Sequence, residues 1–400
     1  MNNRLLIPTR SEPRAPFTAV EHLVAAYDLY GDVTPVATRS AMGATFNTTD
    51  QFNGAIALPN GRVLGIPDQS PTFLNIDTSD DSAVRETLGA TLLNDGTKQY
   101  RGAVFYEELG AEGLVYVLPY EAQDIIVIDV ATMTTVYQGT MGTTLPLPYR
   151  GGVIAANRKT YCCPESATDI LVIDPFDTTG SDYGTAVRTS MGLTIPGGSA
   201  KWPCFTRAVN DKLYGVPNSH AQVLIVDPAD TTASVHGTAF LSAMGGPASL
   251  SDLTKWQGSF LGADRCIYGV PFTATDICKI DPHDQSGSVH GTLTRVTMGL
   301  TPDGNNSKWQ HCCNGPDGRG YAFPRGSQTI LQIDPLGGTA VISAFGPALT
   351  GGSKWQSGAM ALNGSIYGIP QDAVDILKIS FPGVEPMDED IVLGPFLNKL

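Results

Sequence analysis

Positive charge is scarce in this chain. Twenty-five Lys and Arg face 39 Asp and Glu, a formal net charge of −14. Phosphate binding needs a basic face, so this balance argues against a nucleic-acid partner. Long apolar runs are missing as well, and without about 18 consecutive apolar residues no helix inserts across a membrane. Arg10, Glu12, Arg14 and Glu21 interrupt what a secretory leader would need to be apolar, so synthesis in a cytoplasm is expected. The seven Cys are an odd number and form no CxxC pairs of the kind a zinc site uses. Cys162-Cys163 and Cys312-Cys313 are adjacent pairs within predicted strands, and reduced thiols acting as small apolar fillers are expected.

Catalytic signatures are equally thin. There is no G-x-S-x-G elbow, H-E-x-x-H helix or P-loop. His236 and His290 share one context, SVHGT, which marks them as repeat residues on a turn, and His220 and His311 have no matching nucleophile or carboxylate motif. The Asp-rich stretch 174–182 lacks the D-x-D-x-D-G spacing of a calcium loop. No catalytic residue, metal or cofactor is assigned, and a non-enzymatic protein is expected.

What the chain does have is Gly and Pro, 44 and 28 of them, which suit many short strands joined by turns. At 400 residues it is too long for one ordinary core, which leaves several domains or a repeat array. The repeat is legible. Lys255–Pro282 reads as three short strands: an opening Lys-Trp, a second run stopped by Pro271 and a third closed by Asp281-Pro282. Aligned on that first Pro, seven copies appear, at Pro67, Pro119, Pro164, Pro217, Pro271, Pro324 and Pro370, spaced by 45 to 54 residues. Ten positions after each comes Asp77, Asp129, Asp174, Asp227, Asp281, Asp334 and, in the last copy, Ser380. The openings carry Lys98, Lys201, Lys255, Lys308 and Lys354 with the aromatics Tyr100, Trp202, Trp256, Trp309 and Trp355; Phe52 and Tyr149 hold the place in the other two.

A fourth element ends in an apolar residue and Gly, at Met42-Gly43, Leu88-Gly89, Met141-Gly142, Met191-Gly192, Met244-Gly245, Met298-Gly299 and Phe345-Gly346. Four strands per unit, seven times, is the signature of an all-β, seven-bladed β-propeller. The fourth-strand signal precedes the first three-strand unit and is missing after the last. The strand near 35–43 is therefore expected to complete the seventh blade and close the ring. The predicted organisation is an N-terminal arm over 1–33 with a helix from about 19 to 29, the propeller over 34–380, and a C-terminal docking arm over 381–400. In blades 3, 4 and 5 the connection from closing Asp to Met-Gly is 17 residues, against 11 or 12 in blades 1, 2 and 6. That extension reads as duplication or as a docking patch.

Lys98, Lys201, Lys255, Lys308 and Lys354 allow two readings. They ring the channel mouth and attract an anion, or each bonds an Asp or the backbone of its own or the next blade. Trp202, Trp256, Trp309 and Trp355 likewise fit inter-blade packing or sugar platforms.

The unit K-W-x-G…G-x-I-Y-G-[IV]-P…I-L-x-I-D-P, clearest in 255–282 and 354–379, resembles the propeller repeat of virion-associated proteins of tailed bacteriophages, and the ending LNKL (397–400) is similar to theirs. The resemblance implies a virion structural protein of the tail or fibres. It would dock on other virion proteins through its terminal arms and present a propeller face to host surface or neighbouring subunits, as a homo-oligomer or alone. The alternatives are a glycan-binding lectin, a glycan-acting propeller enzyme, or a capsid decoration protein.

Overall fold

The computed structural model describes residues 19–46, 52–93, 97–145, 148–246, 254–299, 307–337 and 341–384. The strands form seven four-stranded antiparallel sheets, each a meander of consecutive strands except one. That exception is the seventh blade, where Val36–Ser40 lies beside Ile376–Ser380 in the register Val36↔Ser380 to Ser40↔Ile376. The Arg39 guanidinium locks the join with a salt bridge to Asp375 at 2.8 Å. The first strands contact one another all the way round, from Phe52–Ala57 through Tyr100–Tyr106 to Trp355–Met360 and back to Phe52–Ala57. They are therefore the innermost layer, and the ring is closed as the repeat predicts.

Each blade is apolar on both faces because both are covered by neighbours. The second strand Leu114–Pro119 and the third strand Ile125–Asp129, for instance, are almost wholly buried. Such continuous apolar runs are what two-sided burial requires. The core is correspondingly split into slabs between blades, as in the cluster joining Tyr214 and Ile225 of blade 4 to Trp256 and Ile267 of blade 5.

The repeated residues turn out to be joints. In four blades the indole N–H of the opening Trp donates to a carbonyl 20 residues on: Trp202 to Gln222, Trp256 to Asp276, Trp309 to Thr329 and Trp355 to Asp375, at 2.7–2.9 Å. Where Tyr replaces Trp, the phenol donates to a carboxylate instead, Tyr100 to Asp124 and Tyr149 to Asp169. The Met-Gly turns join blades to each other. Met42, Met141, Met191 and Met244 take left-handed φ of 50–51°, and their carbonyls accept from Ala83, Ala186, Ala239 and Leu293 in the next blade. The closing Asp residues cap their own turns, as where Asp227 accepts from the Ala229 and Asp230 amides.

The extended connections of blades 3 to 5 are held the same way. Each is gripped by a tyrosine from the preceding blade: Tyr116 on the Tyr183 carbonyl, Tyr161 on that of His236 and Tyr214 on that of His290. The tips Val235 and Val289 stay largely exposed. The seven Cys are all free and buried. The predicted helix spans Ala19–Tyr30 and packs on the propeller itself. Leu23 is buried against Ala263 of blade 5 and Leu336 of blade 6, and the Tyr27 hydroxyl donates to Asp334 at 3.1 Å. The rest of the N-terminal arm before 19, the acidic run 388–390 and the LNKL ending lie outside the described residues.

Candidate functional site

Antiparallel strands put the loops between second and third strands at the same end of the ring as the starts of the first strands. At this end, two positions per blade lie at the start of the innermost strand and just after the second strand. One is the residue after the opening aromatic: Asn53, Arg101, Arg150, Pro203, Gln257, Gln310 and Gln356. The other follows the repeating Pro: Asp68, Tyr120, Glu165, Asn218, Phe272, Arg325 and Gln371. The second set has seven different residues in seven copies of an otherwise regular unit. Most structural joints recur from blade to blade, so this position, which never repeats, makes this end of the ring asymmetric.

The side chains there form a connected polar group. Arg101 places Nε 3.1 Å from Asp68 Oδ1 and Nη2 3.3 Å from Oδ2, and its guanidinium lies over the Tyr120 ring at 3.6 Å. Arg150 Nη1 donates to Glu165 Oε1 at 2.9 Å, and Arg101 Nη1 approaches Glu165 Oε2 at 3.8 Å. Burial opposes charge on Glu165, but Arg150, Arg101 and a hydrogen bond from Tyr120 outweigh it and hold the carboxyl below the usual range. Gln356 Oε1 accepts from both Asn53 Nδ2 at 3.1 Å and Gln310 Nε2 at 2.7 Å, linking blades 1, 6 and 7.

Arg325 is different. It is partly exposed, lies over the Phe272 ring at 5.4 Å, and forms no ion pair among the described residues. Burial first, and then the charges of Arg150 and Arg101, push its pKa down, while Asp372 acts in the opposite direction. Buried atoms at this end also have no hydrogen-bond partner among the described residues. They are the donors Arg150 Nε and Arg325 Nε and the acceptors Glu165 Oε2, Gln257 Oε1 and Gln371 Oε1.

His311 lies just behind this ring, at the first-strand bulge. In blades 1, 2, 3 and 5 the equivalent position is Gly54, Gly102, Gly151 and Gly258, all with positive φ. Crowding is the reason: a Cβ on Gly258 would lie 2.4 Å from the His311 Cα, and one on Gly54 would lie 2.6 Å from the Gly102 nitrogen. His311 takes the same left-handed backbone, φ 47°, with a full side chain. It is 5 % exposed; burial, and then Arg150 and Arg101, hold its imidazole well below the usual range and therefore neutral.

Of the two readings open for the lysines, their contacts fit the backbone bond rather than the channel mouth. Lys201, Lys255, Lys308 and Lys354 are buried. The ammonium of Lys255 donates to the Asn218 and His220 carbonyls at 2.9 and 3.0 Å, that of Lys354 to Gly351 and Arg325, and that of Lys201 to Gly198. Lys98 is exposed, and the buried slot before Tyr100 is filled by Gln99. Trp202, Trp256, Trp309 and Trp355 are buried as well, turned into the walls between blades. Eight of the nine residues are thus buried in the structure, as inter-blade packing and backbone bonding require, and Lys98 is exposed. Sequence reasoning assigned Arg101, Arg150, Glu165, Arg325 and His311 no role. The signal was present, because Trp309-Gln310-His311 breaks the aromatic-x-Gly pattern of Trp256-Gln257-Gly258.

No family model matches the chain, and no curated protein matches it in sequence. Solved propellers match it in structure. A catalytically inactive virginiamycin B lyase from Staphylococcus aureus, with quinupristin, superposes with a TM-score of 0.62 at 14 % identity, covering 87 % of this chain and all of that one. A streptogramin B lyase gives 0.61 at 12 % identity over 87 % and 98 %. Hydrazine synthase from Kuenenia stuttgartiensis gives 0.57 at 11 % identity over 86 % and 100 %. At these identities the likeness is one of fold.

Proposed function

We propose that the chain is a non-enzymatic structural component of a virus particle, tail- or fibre-associated, that uses one end of the propeller for recognition. The motif resemblance supports the particle. The observation that carries the recognition reading is the difference between the two ends. One end is partly covered by the chain's own helix, seated on the regular hairpins of blades 5 and 6. The other bears the ring positions that break the repeat. The arms are then the docking elements, and the axial end faces host surface or a neighbouring subunit. Particles assembled with chains lacking 1–33 or 384–400 test the docking. Reduced incorporation is expected for at least one truncation, and full incorporation of both would overturn it.

A second reading is a glycan-binding or glycan-acting propeller. It is favoured by Tyr120 and Phe272, two aromatic rings at the axial end that each carry an arginine. A glycan array probed with the purified chain separates the two. Glycan signal that is lost on Tyr120→Ala supports the second reading.

A further inference from the structure

We infer that the axial end holds a binding site for a sugar acid, a ring bearing one carboxylate and several hydroxyls, with Arg325 as the carboxylate partner. This deepens the reading of that end as the recognition face. Three guanidinium groups meet there, but two are spoken for: Arg101 by Asp68 and Arg150 by Glu165. Arg325 alone has no ion pair among the described residues, and it is the one that reaches solvent. A partly buried guanidinium without an ion pair is a ready site for an oxyanion, because its Nε and Nη donors match two carboxylate oxygens.

Charge alone does not separate a sugar acid from phosphate. The remaining polar atoms do. Gln257 Oε1 and Gln371 Oε1 belong to blades 5 and 7, on either side of Arg325 in blade 6, and both are buried acceptors without a donor among the described residues. Buried polar atoms are normally satisfied by protein, water or ligand. Phosphate at neutral pH carries one or two hydroxyls on a single compact centre, whereas a polyhydroxy carboxylate spreads several donors round a ring and can reach Gln oxygens from two different blades. The Phe272 and Tyr120 rings supply apolar faces of the kind sugar C–H groups pack on.

Calorimetric titration of the full chain with D-glucuronate, D-glucose and inorganic phosphate tests this. Glucuronate is expected to bind at least tenfold more tightly than glucose or phosphate, and more weakly as salt rises. Arg325→Ala is expected to abolish that preference, and Arg325→Lys to retain part of it. Gln371→Leu is expected to weaken glucuronate several-fold and to leave phosphate unchanged. Circular dichroism melts check that each variant is folded. Equal binding of glucose, phosphate binding as tightly as glucuronate, or glucuronate binding indifferent to Arg325→Ala would each overturn the inference. Particle assembly is not involved, so a failed titration leaves the docking reading intact, and a failed incorporation assay leaves this one intact.

Discussion

His311 departs from its counterparts in the other blades. It carries a side chain on a left-handed backbone where four blades use Gly, and it is buried near two arginines without being charged. Backbone strain of this kind costs about 1–3 kcal/mol and persists where surrounding structure enforces it. A pH dependence follows from its burial. The folded imidazole titrates far below 6.5, so as pH falls through 6.5 the unfolded chain takes up a proton that the folded chain does not. Stability is then lost with falling pH, by up to about 1.4 kcal/mol per pH unit for one proton. His220, His236 and His290 are shifted downwards too, all mainly by burial, so the difference between variants is the informative quantity. Urea unfolding at pH 7.5 and pH 5.0 should show His311→Gln losing less stability between the two than wild type does. An identical loss would mean the ring is open to water. The sequence showed this residue only as a scattered His. Its distinctness lies in a position where the copies disagree, Gly54, Gly102, Gly151 and Gly258 against His311, while the repeat is defined by positions where they agree.

At the level of elements, the strands, their order and their ends were readable because each is bounded by residues with one physical role. Pro ends the second strand, since it lacks an amide N–H for the ladder, and Asp caps the turn after the third. The opening aromatic even sits opposite the terminal Pro, as in Trp256↔Pro271 and Trp355↔Pro370. Direction of the polar side chains was not readable. A Lys before a buried Trp is equally consistent with a channel or with a carbonyl clasp, because period-2 patterning gives the face of a strand and not the rotamer of a long side chain. The helix is the element with a testable local energetics. Leu23 is its main anchor, and truncation of a buried Leu costs about 2–5 kcal/mol. Leu23→Ala is therefore expected to raise amide exchange across residues 19–30, detected by mass spectrometry, with the propeller melt moved by no more than a few degrees. A large drop in the melting temperature would show that the helix is part of the ring's cooperative unit.

For the whole molecule, closure matters more than any single blade. Each sheet relies on two neighbours for its faces, and blade 7 additionally relies on the far end of the chain for its fourth strand. Removing residues 1–33 leaves Val36–Ser40 in place, whereas removing 1–40 strips blade 7 to three strands and exposes Ile376–Ser380 as an edge. The shorter deletion is expected to give a folded monodisperse ring. The longer one is expected to lower the melting temperature by ten degrees or more and to promote aggregation in light scattering. Equal behaviour of the two would remove the closing strand from any role in stability.

That same strand imposes an order on biosynthesis. Val36–Ser40 leaves the ribosome near the beginning and finds its partner only when Ile376–Ser380 has followed. At about 5–20 residues per second, roughly 20–70 s separate the two events. Throughout that interval blades 1 to 6 can assemble in turn while the strand that will complete the seventh waits unpaired. Four of its five residues are exposed in the ring, Val36, Thr38, Arg39 and Ser40, and three of those are polar, which suits a segment that must stay soluble on a nascent chain until the last blade arrives.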